Sequence, residues 1–114
     1  MIIVAFSDKT SKILPRILCR KIKHVAPIIA NKNNLIMYQF ISRKKFHKII
    51  IKMRDIKTLS AHGWRFIYLP IDAAKDFSKM HALTCVQFTK NAIGLKKAFI
   101  QTPNGLYEYL RWNN

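Results

Sequence analysis

The sequence predicts an α+β domain in which an antiparallel sheet packs against a short helix that begins at Cys85. Runs of β-branched and aromatic residues alternate with turn residues, which is typical of antiparallel strands. The segment from Thr84 to Gly94 combines a capping residue, an apolar pattern of helical period and a glycine stop. The chain has 114 residues, half of them apolar, so we expect one domain with one core over residues 1–114.

Five apolar segments predict the strands, and clusters of Asn, Ser and Lys separate several of them. Pro27 lies inside the second segment, which predicts an edge or bulged strand there. The run from Ile49 to Ile51 predicts a fourth strand buried on both faces. Short turns join the second, third and fourth strands into a predicted meander. The predicted strands cover residues 2–6, 25–30, 35–41, 46–53 and 64–71, and a short extended piece follows at 96–101.

Helices are predicted between and after these strands. The pattern over 12–23 places Ile and Leu on one face and cations on the other, while Cys19 lies between the two faces and is expected to pack. Asp55 is expected to cap a helix through Ala61 that Gly63 ends. A helical turn or two is expected around 73–80, after Asp72, and a last helix over 106–112.

The charge of the chain is strongly positive. Its 21 Lys and Arg residues against five acids give a formal net charge of +16, which predicts a polyanionic partner such as nucleic acid, an anionic membrane or an envelope polymer. A solvated helix face and the codon bias of an AT-rich genome are the alternative explanations. Few aromatic residues lie near these charges, with Phe40 and Phe46 as the candidates to stack on bases, so the sequence gives little support for a platform that binds single strands. The candidate polyanion-binding residues are Lys12, Arg16, Arg20, Lys23, Arg43, Lys44, Lys45 and Lys48.

The sequence also limits the expected location of the protein and its expected cofactors. The apolar run at residues 1–6 is too short for the core of a signal peptide, and no segment approaches the length of a membrane span. We therefore expect a cytoplasmic or virion-associated protein, with Cys19 and Cys85 as free thiols. No His or Cys cluster has zinc-ligand spacing, so no metal and no cofactor are predicted.

Cys85 is the candidate nucleophile. The positive end of a helix stabilises a thiolate, so we expect a lowered pKa and rapid reaction near neutral pH, faster than at Cys19. A thiol nucleophile also needs a base and a group that orients the base. His24 begins a strand and is expected to project toward the helix, with Gln39 of the next strand on the far side of its ring. One alternative is that Cys85 is a buried packing residue and His24 a surface residue, neither with a catalytic role. Another is that His81, and not His24, is the base.

These residues occur in an order that resembles the circularly permuted papain-like cysteine hydrolases. That superfamily includes permuted cell-wall amidases and lecithin retinol acyltransferase-like proteins, with small phage and bacterial members. The resemblance implies a permuted papain-like fold, with Cys85 as nucleophile, His24 as base and Gln39 at the third position, where Glu or another polar residue is expected in many relatives. The matching segments are residues 4–7, 23–26, 37–39, 84–90, 93–94 and 102–110.

The resemblance also implies an activity: hydrolysis of an amide or ester by acyl transfer, as an amidase, peptidase or esterase. Peptide from peptidoglycan is the expected substrate in a phage or bacterial setting, and the amide of Cys85 is the candidate oxyanion donor. The alternative is a non-enzymatic basic protein on the same scaffold, active in virion assembly or nucleic-acid binding. A peripheral membrane protein has support only from the basic helix, whose apolar side chains the core needs.

Overall fold

The computed structural model describes residues 1–7, 24–31, 34–42 and 45–113. Within these ranges the protein is α+β, as predicted, with one antiparallel sheet and three α-helices. The predicted basic helix over 12–23 lies outside the described residues. The strands are β1 (Ile2–Ser7), β2 (His24–Asn31), β3 (Asn34–Ser42), β4 (Lys45–Ile51) and β5 (Arg65–Leu69); the helices are α1 (Met53–Ala61), α2 (Cys85–Ile93) and α3 (Pro103–Asn113), with a 3₁₀ turn at Phe77–Lys79.

The sheet has the strand order β4-β3-β2-β1-β5, with every neighbouring pair antiparallel. β1 is buried along its whole length because helices cover both of its faces. Phe6 and its alternate neighbours pack with Leu106 of α3 and Val86 of α2. Ile3 and the residues of its parity pack with Ile56 of α1 on the other face. At β1, the sheet is therefore the middle layer between helices on its two faces.

Two strands differ from the sequence-based expectation. β2 is an interior strand rather than an edge, although its pairing with β3 stops at Ile28, next to Pro27. β4 is an edge strand, and the prediction that its Ile run is buried on both faces is wrong. Ile51 is buried, whereas Ile50 is 70 % exposed and Ile49 is 38 % exposed. An edge strand with one open face leaves part of even an apolar run in solvent.

The helix starts are set by side chains that accept main-chain hydrogen bonds. Asp55 is not the capping residue of α1; it lies in the first turn, and its carboxylate accepts a bond of 2.7 Å from the amide of Lys52. α3 begins earlier than predicted, because Pro103 fits its first position and Thr102 Oγ1 accepts from the amide of Gly105 at 2.9 Å. The segment 96–101, predicted to be extended, is a loop, and a 3₁₀ turn replaces the helical turn expected around 73–80.

The bounds of α2 agree with the prediction. Thr84 caps its start, and Gly94 ends it with a φ of 71°, in the left-handed region that favours glycine. Its buried face carries Phe88. The centre of the Phe88 ring lies 5.5 Å from the centre of the Phe77 ring and 5.5 Å from that of the Phe46 ring. This aromatic cluster holds α2 against the sheet.

Candidate functional site

Cys85 is the first residue of α2, and local hydrogen bonds fix its position. Thr84 Oγ1 accepts a bond of 3.1 Å from the amide of Gln87, and Gln87 Oε1 accepts a bond of 2.9 Å from the amide of Leu83. Such reciprocal capping satisfies amides that have no partner inside the helix. The start of α2 therefore holds the thiol at a defined place against the sheet.

The three side chains predicted to form the site line one pocket of about 310 Å³. Cys85 comes from α2, His24 from β2 and Gln39 from β3. The other lining residues were not predicted to belong to this site. Trp64 follows Gly63, a turn glycine with a φ of 97°, in the connection between α1 and β5. The complete lining is Ser7, His24, Val25, Ala26, Gln39, Phe40, Trp64 and Cys85.

The pocket exists because β2 and β3 separate at one end. Their pairing runs from Asn31 opposite Asn34 to Ile28 opposite Met37, and it does not continue to Pro27. Proline has no amide hydrogen to donate to a neighbouring strand. Beyond this point residues 24–26 remain paired with β1, while β3 continues beside β4. The gap between the two strands is where the lining residues of β2 and β3 face each other.

The strand register places His24 on the opposite face of the sheet from α2. Side chains alternate along a strand, and His24 has the same parity as Ala26 and Ile28, which pack on the α1 side. Cys85 packs against the cluster on the other face, which includes Val25 and Val86. This differs from our expectation that His24 projects toward α2. His24 and Cys85 nevertheless both line the pocket beside the gap between β2 and β3.

Gln39 does not make the predicted contact with the histidine ring. Its Nε2 donates to the sulfur of Met37 at 3.7 Å. Within the described part of the chain, no hydrogen bond joins Gln39 to His24. The amide of Gln39 nevertheless lines the same pocket as the imidazole, which is exposed.

The pKa of the Cys85 thiol is shifted in the direction opposite to the one predicted. Burial raises its pKa above the ordinary value, because the anionic form loses its hydration. Main-chain hydrogen bonds from Val25, Cys85 and Val86 favour the thiolate and lower the pKa, but by less than burial raises it. The expectation of a lowered pKa is therefore wrong, and the resting side chain is a neutral thiol at neutral pH.

The other histidines lie away from the pocket. His81, the alternative base, is exposed at the surface before α2. His47 is solvent-facing on β4, and His62 follows the last residue of α1, with Nδ1 2.8 Å from the carbonyl oxygen of Thr58. His24 is therefore the histidine that lines the pocket with Cys85.

Two of the candidate polyanion-binding residues are described, and both are exposed on β4. These are Lys45 and Lys48, and the ammonium of Lys48 lies 5.7 Å from the centre of the Tyr38 ring. Phe40 and Phe46, expected as stacking partners for bases, pack against Phe88 instead. The candidates outside the described residues are Lys12, Arg16, Arg20, Lys23, Arg43 and Lys44, so their arrangement remains a prediction.

Within the part of the chain that the structure describes, carboxylates do not neutralise the Lys and Arg side chains. Over residues 1–7, 24–31, 34–42 and 45–113, no Lys or Arg side chain forms an ion pair with a carboxylate. The ion pair in this part of the chain joins the amino group of Met1 to Asp72 at 3.8 Å. The described residues contain no group of three side chains suited to a metal ion, and no described helix is long and apolar enough to cross a membrane.

Comparisons of the chain with protein-family models, with curated proteins and with solved structures found no match.

Replacing Pro27 with alanine is expected to narrow the pocket. The variant regains an amide hydrogen, so β2 and β3 should pair further toward His24 and close the gap beside Cys85. Alkylation of Cys85 by iodoacetamide at a fixed alkaline pH, measured in a Cys19→Ser background, should slow several-fold. Amide exchange at residues 24–26 should slow as well. Pro103→Ala, at the start of α3, is the control, and an equal rate in both variants would contradict this role for Pro27.

Proposed function

We propose that the protein is a thiol hydrolase that cleaves an amide or ester by acyl transfer, with Cys85 as the nucleophile and His24 as the base. The observation that supports this proposal most directly is that Cys85, His24 and Gln39 line the same pocket, although they come from three separate elements. A nucleophile, a titratable base and a third polar group around one cavity are the parts that acyl transfer through a thiol requires.

The raised pKa of Cys85 defines the first step. Because the resting thiol is neutral, the thiol must lose its proton as a substrate binds, and His24 receives that proton through the gap between the strands. The sulfur then attacks the carbonyl carbon, and the π electrons of the carbonyl move to its oxygen. When this intermediate collapses, His24 gives the proton to the leaving amine or alcohol. Water then hydrolyses the thioester.

The main chain around the sulfur supplies the electrostatic part of the proposal. Val25, Cys85 and Val86 provide the hydrogen bonds that favour negative charge on the sulfur. Amides fixed in this way stabilise charge that develops during a reaction without having to reorient. The amide of Cys85 therefore remains our candidate oxyanion donor, and the amide of Val25, from the strand opposite, is a second.

The substrate class follows from the pocket and the charge. Phe40 and Trp64 give the pocket two aromatic walls, which suit an apolar acyl group or side chain. The net charge of +16 suits an acylated polymer that is negatively charged. We therefore propose a peptide amide of peptidoglycan, or an ester of a similar anionic polymer, as the substrate of a cytoplasmic or virion-associated protein.

Formation of an acyl-enzyme tests this function. In a Cys19→Ser background, p-nitrophenyl acetate should give a burst of nitrophenol and an acetyl group on Cys85, identified by peptide mass spectrometry. Cys85→Ala should abolish both. His24→Ala should slow acylation by about 10² or more, as expected for loss of a general base. His47→Ala, an exposed histidine on β4, is the matched control. Equal rates in the two histidine variants would overturn the proposal.

The unneutralised charge supports a second candidate function, a basic virion or nucleic-acid-binding protein without enzymatic activity. No Lys or Arg of the described residues is paired with a carboxylate, so the exposed cations, such as Lys45 and Lys48, are available to phosphates. Contacts of this kind give affinity that falls steeply with salt and does not depend on sequence. The variant Cys85→Ala distinguishes the two functions, because it should abolish hydrolysis and leave binding through charge unchanged.

A further inference from the structure

Two aromatic side chains at one end of the molecule are exposed together. Phe99, in the loop between α2 and α3, and Trp112, near the end of α3, are each 76 % exposed. No other large apolar residue in the described part of the chain is as exposed. Both line one open groove of about 570 Å³ whose surface is mostly apolar. Single exposed apolar residues are common, but a grouped apolar surface indicates an interaction site.

Hydrogen bonds order the Trp112 ring and the loop that carries Phe99. Trp112 Nε1 donates to Glu108 at 3.2 Å. The loop that carries Phe99 is fixed by Lys90, whose ammonium donates to the carbonyl oxygens of Lys97 at 2.6 Å and of Ile100 at 2.8 Å. Because these contacts already order the groove, a partner that binds there has less side-chain entropy to remove.

Three cations lie close in the chain to the two aromatic residues. Lys96 and Lys97 precede Phe99 in the same loop, and Arg111 precedes Trp112, with its guanidinium 5.7 Å from the centre of the indole ring. All three cations are exposed, and none of them is paired with a carboxylate among the described residues. The surface therefore combines protruding aromatic rings with a rim of available positive charge.

We propose that this surface, formed by Phe99, Trp112, Lys96, Lys97 and Arg111, docks the protein on an anionic lipid bilayer. Aromatic side chains enter the interface between headgroups and acyl chains, and each Lys or Arg near the surface is attracted by anionic lipid. Membrane binding strengthens with both the buried apolar area and the attraction to anionic lipid, so we expect the two contributions to act together. The attraction adds to that of the overall charge of +16.

The groove suits a bilayer better than a single strand of nucleic acid. A bound strand would run its phosphates along the groove, where the carboxylate of Glu108 would repel them. On a bilayer, only the two rings enter the interface, while the lysines and Arg111 reach lipid phosphates around the rim. The charge at this end of the molecule is therefore complementary to a flat anionic surface.

Vesicle binding tests the proposal on the full chain. In a Trp64→Phe background, the remaining tryptophan is Trp112, and its emission should shift to shorter wavelength with vesicles of phosphatidylcholine and phosphatidylserine. Vesicles of phosphatidylcholine alone should give little shift. Replacing both Phe99 and Trp112 with serine should weaken co-sedimentation with the anionic vesicles at least tenfold, because the apolar area that the two rings bury in the interface is lost.

Ile50→Ser is the matched control, since Ile50 is 70 % exposed on the edge strand β4 and lies outside the proposed surface. This variant should bind anionic vesicles like the parent. Three results would overturn the proposal: no binding, equal binding to both kinds of vesicle, or equal losses in the control and the double variant. A single-stranded oligonucleotide that quenches Trp112 and displaces the vesicles through the same two rings would identify nucleic acid as the partner instead.

Discussion

Replacing Phe6 with alanine is expected to lower the free energy of unfolding by about 3 to 5 kcal/mol. The side chain is fully buried at the end of β1, where the strand is covered on both faces. Its ring meets that of Tyr107 on α3 edge-on, with the ring centres 5.1 Å apart and the planes at 77°. The substitution leaves a cavity between sheet and helix and removes this aromatic contact. Small domains have about 5 to 15 kcal/mol of total stability, so the loss should be severe.

Urea unfolding, followed by circular dichroism, measures this loss. Ile50→Ala is the control, because Ile50 is mostly exposed on β4 and should change the free energy of unfolding by no more than about 0.5 kcal/mol. Similar losses in the two variants would mean that β4 is buried after all. A loss below about 1 kcal/mol at Phe6 would argue against the central position of β1.

The contrast between these two residues shows which features of the fold can be predicted from sequence. Both lie in runs of β-branched and aromatic residues, and the composition of each run correctly predicts a strand. Whether a strand is interior or at an edge depends on which distant segments pair with it, and local composition does not contain that information. The prediction therefore succeeded for the existence of β1 and β4 and failed for the burial of Ile50.

Pro27 illustrates the same limit. A proline inside a strand predicts missing pairing on one side, and the simplest location for that is an edge. In the structure the pairing with β3 does stop at Ile28, next to Pro27, but β1 pairs with β2 from His24 to Ile29, on both sides of the proline. The local signal correctly indicated interrupted pairing, and the topology turned that interruption into a pocket rather than an edge.

In the candidate site, too, the features that depend on neighbouring residues were predictable and those that depend on distant segments were not. The start of α2 at Cys85 was predictable because the capping residue and the glycine stop lie within a few residues of it. The face on which His24 lies depends on the register of β2, and the partner of Gln39 depends on the rotamer that packing selects. The position of Trp64 depends on where β5 joins the sheet. The pKa of Cys85 depends on how much water the surrounding elements remove, which outweighs the helix start.

The pH dependence of alkylation at Cys85 should show this balance directly. In a Cys19→Ser background, the rate with iodoacetamide should be low at neutral pH and should rise about tenfold per pH unit through and beyond the range in which a free thiol titrates. The direction follows from burial, which raises the pKa of Cys85. The reactive thiolate is therefore a minor species until the pH exceeds the pKa of an ordinary cysteine. Glutathione, titrated under the same conditions, gives the reference curve and should reach its plateau at lower pH. A plateau for Cys85 already at neutral pH would mean that the main-chain hydrogen bonds outweigh desolvation, and that the thiolate forms without help from His24.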